Sequence, residues 1–335
     1  MRRLAAVVLV AACSSGPLLP CDAAKADCVA LTIPRGATLH AAVESLAARD
    51  LVTHRAWFGL YARLRGLGRD LKSGSYAFHR DAGWSDIVAA LKLGRGTMVR
   101  LTVPEGLRLT EVADLAAQEL GVPRDSFLGA TRDPALLSKL GLLAHAVNVE
   151  GYLYPTTYTV RPHPTGRELV RLMTDEFAAH WAPGWDARLD SLRMSKFQLV
   201  TLASIIQAEV RYTPDRDYVS AVYHNRLQRG MLLQADPTVV YAMGQRPHRV
   251  YEKNLEIRSP YNTYLHAGLP PGPISQPDSA SLEAALYPAS SPYLYFVAQP
   301  DGKHIFSATY DEHLAAIRQV KALESDVRAA HRQEP

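Results

Sequence analysis

Glu209 is the residue whose surroundings favour proton transfer. Ser195-Lys196-Phe197-Gln198 fits a capping box, Ser first and Gln three residues on, and predicts a helix from about 196 to 211. Leu199, Leu202, Ala203, Ile205 and Ile206 mark an apolar stripe along it. Glu209 lies three residues after Ile206 and seven after Leu202, so it continues the buried stripe, and Pro214 stops the helix soon after. A carboxyl placed there loses hydration, which favours its neutral form and raises its pKa. A general acid needs that property to protonate a glycosidic oxygen near neutral pH. The competing reading of the same position is a structural carboxylate paired with Arg211 or Arg226.

Other polar groups are candidate helpers. Asn225, on a second helix from about 216 to 229 that ends before Gly230, can orient Glu209 or a sugar amide, or simply close its helix. Asp236-Pro237-Thr238 resembles a turn opening a helix with Asp236 as its cap, and both Asp236 and Thr238 can shape the floor of a cleft. Tyr261-Asn262-Thr263-Tyr264 offers aromatic faces and an amide suited to a sugar ring; the alternative is a packed turn after Pro260. Glu150 and Tyr152 open an aromatic-rich stretch that ends at Tyr158. They can bind substrate, and Glu150 leans toward structuring a loop. His304 and His313 are spaced poorly for a helical metal pair and read as packing or surface residues. All three cysteines, Cys13, Cys21 and Cys28, fall in the first 28 residues, without zinc spacing. A catalytic thiolate and a thiolate metal site are therefore not expected; no metal and no cofactor is assigned to the chain. Pairing of Cys21 with Cys28 is open.

The elements that must position these residues fit an α+β chain of two modest domains. Of 335 residues, 47% are hydrophobic and 21% charged, ordinary globular composition. The net charge of +4 comes without a lysine-rich run or aromatic–basic interleaving, so nucleic acid is not an expected partner. Met1-Arg2-Arg3 followed by the apolar run Leu4 to Ala12 resembles a secretory signal, and Val10-Ala11-Ala12-Cys13 resembles a lipobox with Cys13 as the lipidated residue. A weak single-pass anchor is the other reading. Residues 1–28 are accordingly taken as a signal or anchor segment. Leu31-Thr32-Ile33-Pro34-Arg35-Gly36 and Leu101-Thr102-Val103-Pro104-Glu105-Gly106 form a pseudo-repeat, each a short strand, a Pro-x-Gly turn and an amphipathic helix, with Thr38 and Thr110 as expected caps. Gly83-Trp84-Ser85-Asp86 starts another short helix. Such units resemble LysM-like glycan-binding modules, or a generic scaffold with a recurring turn. They place a LysM-like region at 29–145, a mixed α+β catalytic domain at 146–325 and a tail at 326–335. Within the catalytic region a helix is expected over about 166–180, and a strand at Tyr293-Leu294-Tyr295-Phe296-Val297.

Read together, several phrases resemble the endolytic murein transglycosylases, the MltG or YceG-like family. They are Val103-Pro104-Glu105-Gly106; Glu150-Gly151-Tyr152-Leu153-Tyr154-Pro155; Leu202-Ala203-Ser204-Ile205-Ile206-Gln207-Ala208-Glu209; Asn225-Arg226-Leu227 through Gln234-Ala235-Asp236-Pro237-Thr238; and Ser259-Pro260-Tyr261-Asn262-Thr263-Tyr264 through Ile274. Pro292 to Val297 and His304-x-Phe306 close the series, and the resemblance runs from about residue 30 onward. The family's catalytic glutamate sits in an Ala-Ser-Ile-hydrophobic-Glu-x-Glu phrase. Gln207 replaces the first Glu here, so the resemblance carries the catalytic role to Glu209. Thr156 stands where the family usually has an acidic residue, and the N-terminal apolar segment is shorter than the usual anchor.

The resemblance implies a lytic transglycosylase that cleaves the bond from N-acetylmuramic acid to N-acetylglucosamine within peptidoglycan strands. The products carry 1,6-anhydro ends, and the enzyme terminates or trims nascent strands. It implies peptidoglycan glycan strands as substrate, peptidoglycan synthases as partners, and an inner-membrane anchor with the catalytic body in the periplasm. The alternatives are a muramidase using Glu209 with Asp236 or Glu150, and a non-catalytic cell-wall scaffold. A pyridoxal-phosphate lyase is disfavoured because no lysine is placed for a Schiff base.

Overall fold

The computed structural model describes residues 28–34, 36–94, 99–161, 164–210, 212–247 and 250–331, with side chains placed through residue 323. The expected signal, the lipobox at Cys13, Cys21 and Arg211 lie outside the described residues. Cys28 is disulfide-bonded. Among the described residues no helix is long and apolar enough to cross a membrane.

The chain divides into two compact units, one of residues 28–100 and 159–161, the other of 101–158 and 164–331. The first unit runs β1 (Cys28–Ile33), α1 (Leu39–Ala47), α2 (Arg55–Leu64), the single turn α3 (Leu67–Asp70), β2 (Gly74–His79) and α4 (Trp84–Leu93). Period-2 alternation buries Val29, Leu31 and Ile33 on one face of β1, and β1 pairs antiparallel with β2 in the register Leu31 to Tyr76. The core of this unit joins those residues to Val43, Leu46, Phe58, Ile87 and Leu91. Thr38 caps α1 as expected, its Oγ1 accepting the Ala41 N–H at 3.2 Å.

The second unit carries β3 (Val99–Thr102), which straddles the division, then α5 (Leu109–Leu120), α6 (Arg124–Ala130), α7 (Pro134–Lys139) and β4 (Thr157–Val160), the partner of β3. Next come α8 (Gly166–Ala179), α9 (Trp185–Leu192), α10 (Lys196–Glu209), α11 (Arg216–Gln228), α12 (Asp236–Ala242) and α13 (Ser279–Leu286). The antiparallel hairpin β5 (Tyr295–Ala298) and β6 (His304–Ser307) and the helix α14 (Tyr310–His331) complete it.

Several expectations need correction. The second copy of the pseudo-repeat belongs to the second unit, and the boundary expected at 145/146 falls inside that unit. Hydrogen bonding is the reason. Gly106 N–H donates to Gln276 O and Gln276 N–H returns to Leu107 O, both at 2.8 Å, and Glu150 Oε1 accepts the Leu109 N–H at 2.8 Å. Thr110 is not the cap of α5. Arg108 holds that position, because the Glu111 carboxylate reaches back to its N–H at 2.7 Å. The strand expected at 293–297 starts at Tyr295, because the carbonyls of Ser291, Tyr293 and Leu294 accept side-chain donors of Asn225 and Arg226.

α10 begins as expected, Ser195 Oγ accepting the Gln198 N–H at 3.2 Å and Gln198 Oε1 the Ser195 N–H at 2.9 Å. It is not a one-sided stripe, since every residue from Leu199 to Ile206 is buried and α9, α11, α12 and α13 surround it. Its polar members are satisfied internally. Thr201 Oγ1 donates to Phe197 O, Ser204 Oγ to Thr201 O, and Ser204 Oγ also accepts the Ile274 N–H. The helix ends where Val210 turns extended, ahead of the Pro214 expected to stop it. Gly151 (φ 82°) closes against the same helix. A Cβ there would lie 2.5 Å from Pro273 and 3.0 Å from Val200. Gly151→Ala is therefore expected to destabilise the chain by about 3 kcal/mol, overpacking adding to the cost of a positive φ. A melting midpoint within a degree of wild type would contradict this.

Candidate active site

A cavity of about 380 Å³ opens in the second unit. Its walls are the Gly106–Arg108 turn, the end of α10, the start of α12, the Ile274–Ser275 segment and the tip of the β5–β6 hairpin. Two carboxylates line it, Glu209 and Asp236, with Arg108, Arg246 and His304 around them. A second cavity, about 780 Å³, is lined by Met194, Phe197, His224, Leu269 and their neighbours, and no carboxylate lines it. The smaller cavity is the one equipped for acid–base work.

Glu209 is the last residue of α10. The Tyr223 hydroxyl, buried on α11, donates to its Oε1 at 3.1 Å. Burial raises the Glu209 pKa to about 7, and the negative charge of Asp236 pushes the same way. The Tyr223 hydrogen bond and the Arg226 charge act against the rise. The alternative of an ion pair with Arg226 is not what the structure contains. That guanidinium is spent on Leu294 O (2.7 Å), Leu233 O (2.9 Å), Leu232 O (3.1 Å) and Gln234 Oε1 (3.2 Å).

Asp236 is the first residue of α12 rather than its cap, and Ala235 occupies the cap position. Thr263 Oγ1 accepts the Ala235 N–H at 3.0 Å, and Asp236 lines the cavity. Tyr264 Oη donates to its Oδ1 at 2.6 Å. Arg246, also on the cavity lining, grips Glu111 through two bonds, 2.6 and 2.7 Å, and donates to Gly106 O. Arg108 donates to Val240 O at 2.8 Å and lies over the Tyr241 ring. These two guanidinium groups can face carbonyl or anionic groups of a ligand.

Glu209 and Asp236 line the cavity, Tyr264 is bonded to Asp236, and the other predicted site residues are engaged in contacts within the fold. Asn225 Nδ2 donates to Ser291 O and Tyr293 O and so ties down a loop. Thr238 is fully buried, bonded to Ala235 O and Thr263 Oγ1. Asn262 holds Leu255 O and Ile257 O, and Tyr261 packs on Tyr241 with ring centroids 4.8 Å apart. Tyr152 is a core residue against Phe177. Glu150 accepts from Leu109 N, Gln276 Nε2 and Tyr241 Oη, and burial still raises its pKa to about 8. It is buried and joins Leu109, Gln276 and Tyr241. Gln207 has a comparable duty. Its Oε1 accepts from Asp278 N and Ser281 Oγ at the start of α13, a task that needs an acceptor and no charge.

Local sequence spacing does not mark Arg108, Arg246 or Tyr223 as parts of a site. Tyr223 reads as apolar filler on α11. His304-x-Phe306 is the one available signal; the His304 side chain packs against Phe296 and Phe306, only 3% exposed, and the residue also lines the cavity. His313 does pack, stacked on Tyr295. Among the described residues no group of three His, Cys, Asp or Glu side chains gathers as a metal site would require.

Comparison with known proteins gives a consistent picture. The chain matches the YceG-like family over residues 31–319. It is 32% identical over 301 residues to an endolytic murein transglycosylase of Bacillus subtilis, covering 85% of this chain and 82% of that protein. It is 29% identical over 327 residues to an endolytic murein transglycosylase of Streptococcus pneumoniae, spanning 88% of this chain and 59% of that longer protein. A crystal structure of a YceG-like protein from Listeria monocytogenes superposes with a TM-score of 0.60 at 31% identity, covering 86% of this chain and 98% of that one.

Proposed function

The chain belongs to the YceG-like family, and from that premise we propose that it is an endolytic lytic transglycosylase of peptidoglycan in which Glu209 is the acid. The observation that supports this assignment is one carboxyl, raised to about 7, in a cavity with a second carboxylate and two guanidinium groups. Glu209 donates its proton to the oxygen joining N-acetylmuramic acid to N-acetylglucosamine. The C6 hydroxyl of the muramic sugar attacks the anomeric carbon, leaving a 1,6-anhydro end. The carboxylate so formed is able to receive the hydroxyl's proton. Asp236 and the cavity's polar groups oppose the charge that develops at the anomeric carbon.

The first unit serves glycan binding in a LysM-like manner. Its support is the strand–turn–helix unit β1–α1 and the pairing of β1 with β2. The basic and apolar N-terminal segment supports a body held outside the inner membrane, where peptidoglycan synthases work. The second reading, a muramidase, draws on Asp236 sharing the cavity with Glu209. Digestion of purified sacculi with mass analysis separates the two. Anhydro ends support the transglycosylase, and muramic ends that have taken up water support the muramidase.

The Glu209 environment also sets a pH response. Cleavage requires its proton, so activity is expected to fall as pH rises through about 7. The Tyr223 bond favours the ionised form, so Tyr223→Phe moves that falling limb to higher pH. The Asp236 charge favours the protonated form, so Asp236→Asn moves it to lower pH. Shifts of opposite sign in rate profiles on soluble glycan strands are the expected result; limbs moving together would contradict it.

A further inference from the structure

The cavity holds one titratable group that this scheme leaves unused. His304 begins β6, at the base of the hairpin tip that walls the cavity. Its Nδ1 lies 3.0 Å from Asp215 Oδ2, and the same oxygen accepts the His304 backbone N–H at 2.7 Å. Phe296 meets the ring edge-on at 5.3 Å, and Phe306 lies 6.0 Å away. Asp215 thus fixes both the ring orientation and the tautomer, with the proton on Nδ1. Nε2 makes no hydrogen bond with any described residue, and 3% of the side chain is exposed. An acceptor lone pair on a cavity-lining ring is therefore free for a ligand. A carboxylate behind the far nitrogen is the arrangement that suits a histidine base, because it stabilises the imidazolium that forms.

Resting on the transglycosylase reading, we propose that His304 is a second catalytic residue, its Nε2 taking the proton of the attacking C6 hydroxyl. Glu209 gives its proton to the bridging oxygen, and the bond from that oxygen to the anomeric carbon breaks with its electron pair. The C6 oxygen bonds to the anomeric carbon, and its proton passes to Nε2. Asp215 opposes the imidazolium charge. The proton then returns from His304 to the Glu209 carboxylate through cavity water, and both groups are reset without net gain or loss.

The test compares wild type, Glu209→Gln, His304→Gln, His304→Ala and Asp215→Asn on purified glycan strands, with melting midpoints as the control for folding. Loss of the base is expected to lower kcat by about 10²-fold with little change in KM. Water then competes better with the C6 hydroxyl, so the ratio of hydrolysed to anhydro ends rises in both His304 variants. Asp215→Asn keeps an acceptor for the backbone N–H but not the charge, and shifts the ratio in the same direction by less. A folded His304 variant with wild-type kcat, with a change in KM alone, or with reduced kcat at an unchanged product ratio would overturn the proposal. Should His304→Ala fail to fold, His304→Gln and Asp215→Asn decide. Activity surviving in Glu209→Gln would instead overturn the function on which the proposal rests.

Discussion

Glu209→Gln is expected to lower cleavage of purified sacculi by about 10³-fold or more while leaving the melting transition in place. The amide keeps the shape of the side chain and an oxygen to accept the Tyr223 hydroxyl, which lies 3.1 Å from Oε1. What it lacks is a transferable proton. Removing a buried acid also removes the cost of holding a carboxylate beside Asp236, so stability should hold or rise slightly. A folded variant retaining a tenth or more of wild-type activity would mean that another group supplies the proton, and Asp236 would be the next to examine. Reduced activity together with a lowered midpoint would point to a structural role instead.

A stability effect as large as that at Gly151 is expected at Arg226. Its guanidinium satisfies three main-chain carbonyls and one side-chain oxygen from two separate segments. One segment, Leu232 to Gln234, leads directly into Asp236; the other, at Leu294, leads into the hairpin that carries His304. Arg226→Met keeps much of the aliphatic volume but leaves those carbonyls without donors. The expected cost is about 3 kcal/mol, equivalent to a drop in melting midpoint of about 10 °C for a unit of this size. Activity should fall as well, since both segments brace the cavity. Arg226→Lys keeps the charge without the planar fork, so it should recover only part of the loss. A midpoint unchanged in Arg226→Met would show that the carbonyls find other donors.

What could be read in the sequence follows the range of the interactions. Ser195 and Gln198 cap a helix three residues apart, and α10 with Glu209 at its end is legible from local spacing. The all-round burial of that helix is not, because Thr201 and Ser204 look polar until their hydroxyls are seen bonded to the helix carbonyls. Asp236 reads in the sequence as a cap; Ala235 takes that position instead, its N–H held by Thr263 across 28 residues. Tyr261 to Tyr264 carry the right chemistry for sugars, yet Asn262 closes a turn and Tyr261 packs on Tyr241. Side-chain type alone does not distinguish a binding tyrosine from a packed one. Arg108 and His304 enter the cavity through the Gly106–Gln276 exchange and the β5–β6 pairing. Arg108 has no sequence-local signature, and the His304-x-Phe306 phrase does not by itself show that the histidine lines a cavity.

Glu150 and Glu209 have a consequence beyond the cavity. Each holds its proton in the folded chain to a higher pH than an ordinary glutamate, whose pKa is 4.5: to about 8 for Glu150 and about 7 for Glu209. Between those limits the native chain binds more protons than the unfolded chain, so folding takes up hydrogen ions there. The stability tied to these two groups is complete below about 4.5 and is lost as pH climbs through 7 and then 8. The burial that arms the acid thus also makes this fold lean toward mildly acidic surroundings, so alkaline pH weakens the scaffold by the same protons whose loss stops the chemistry.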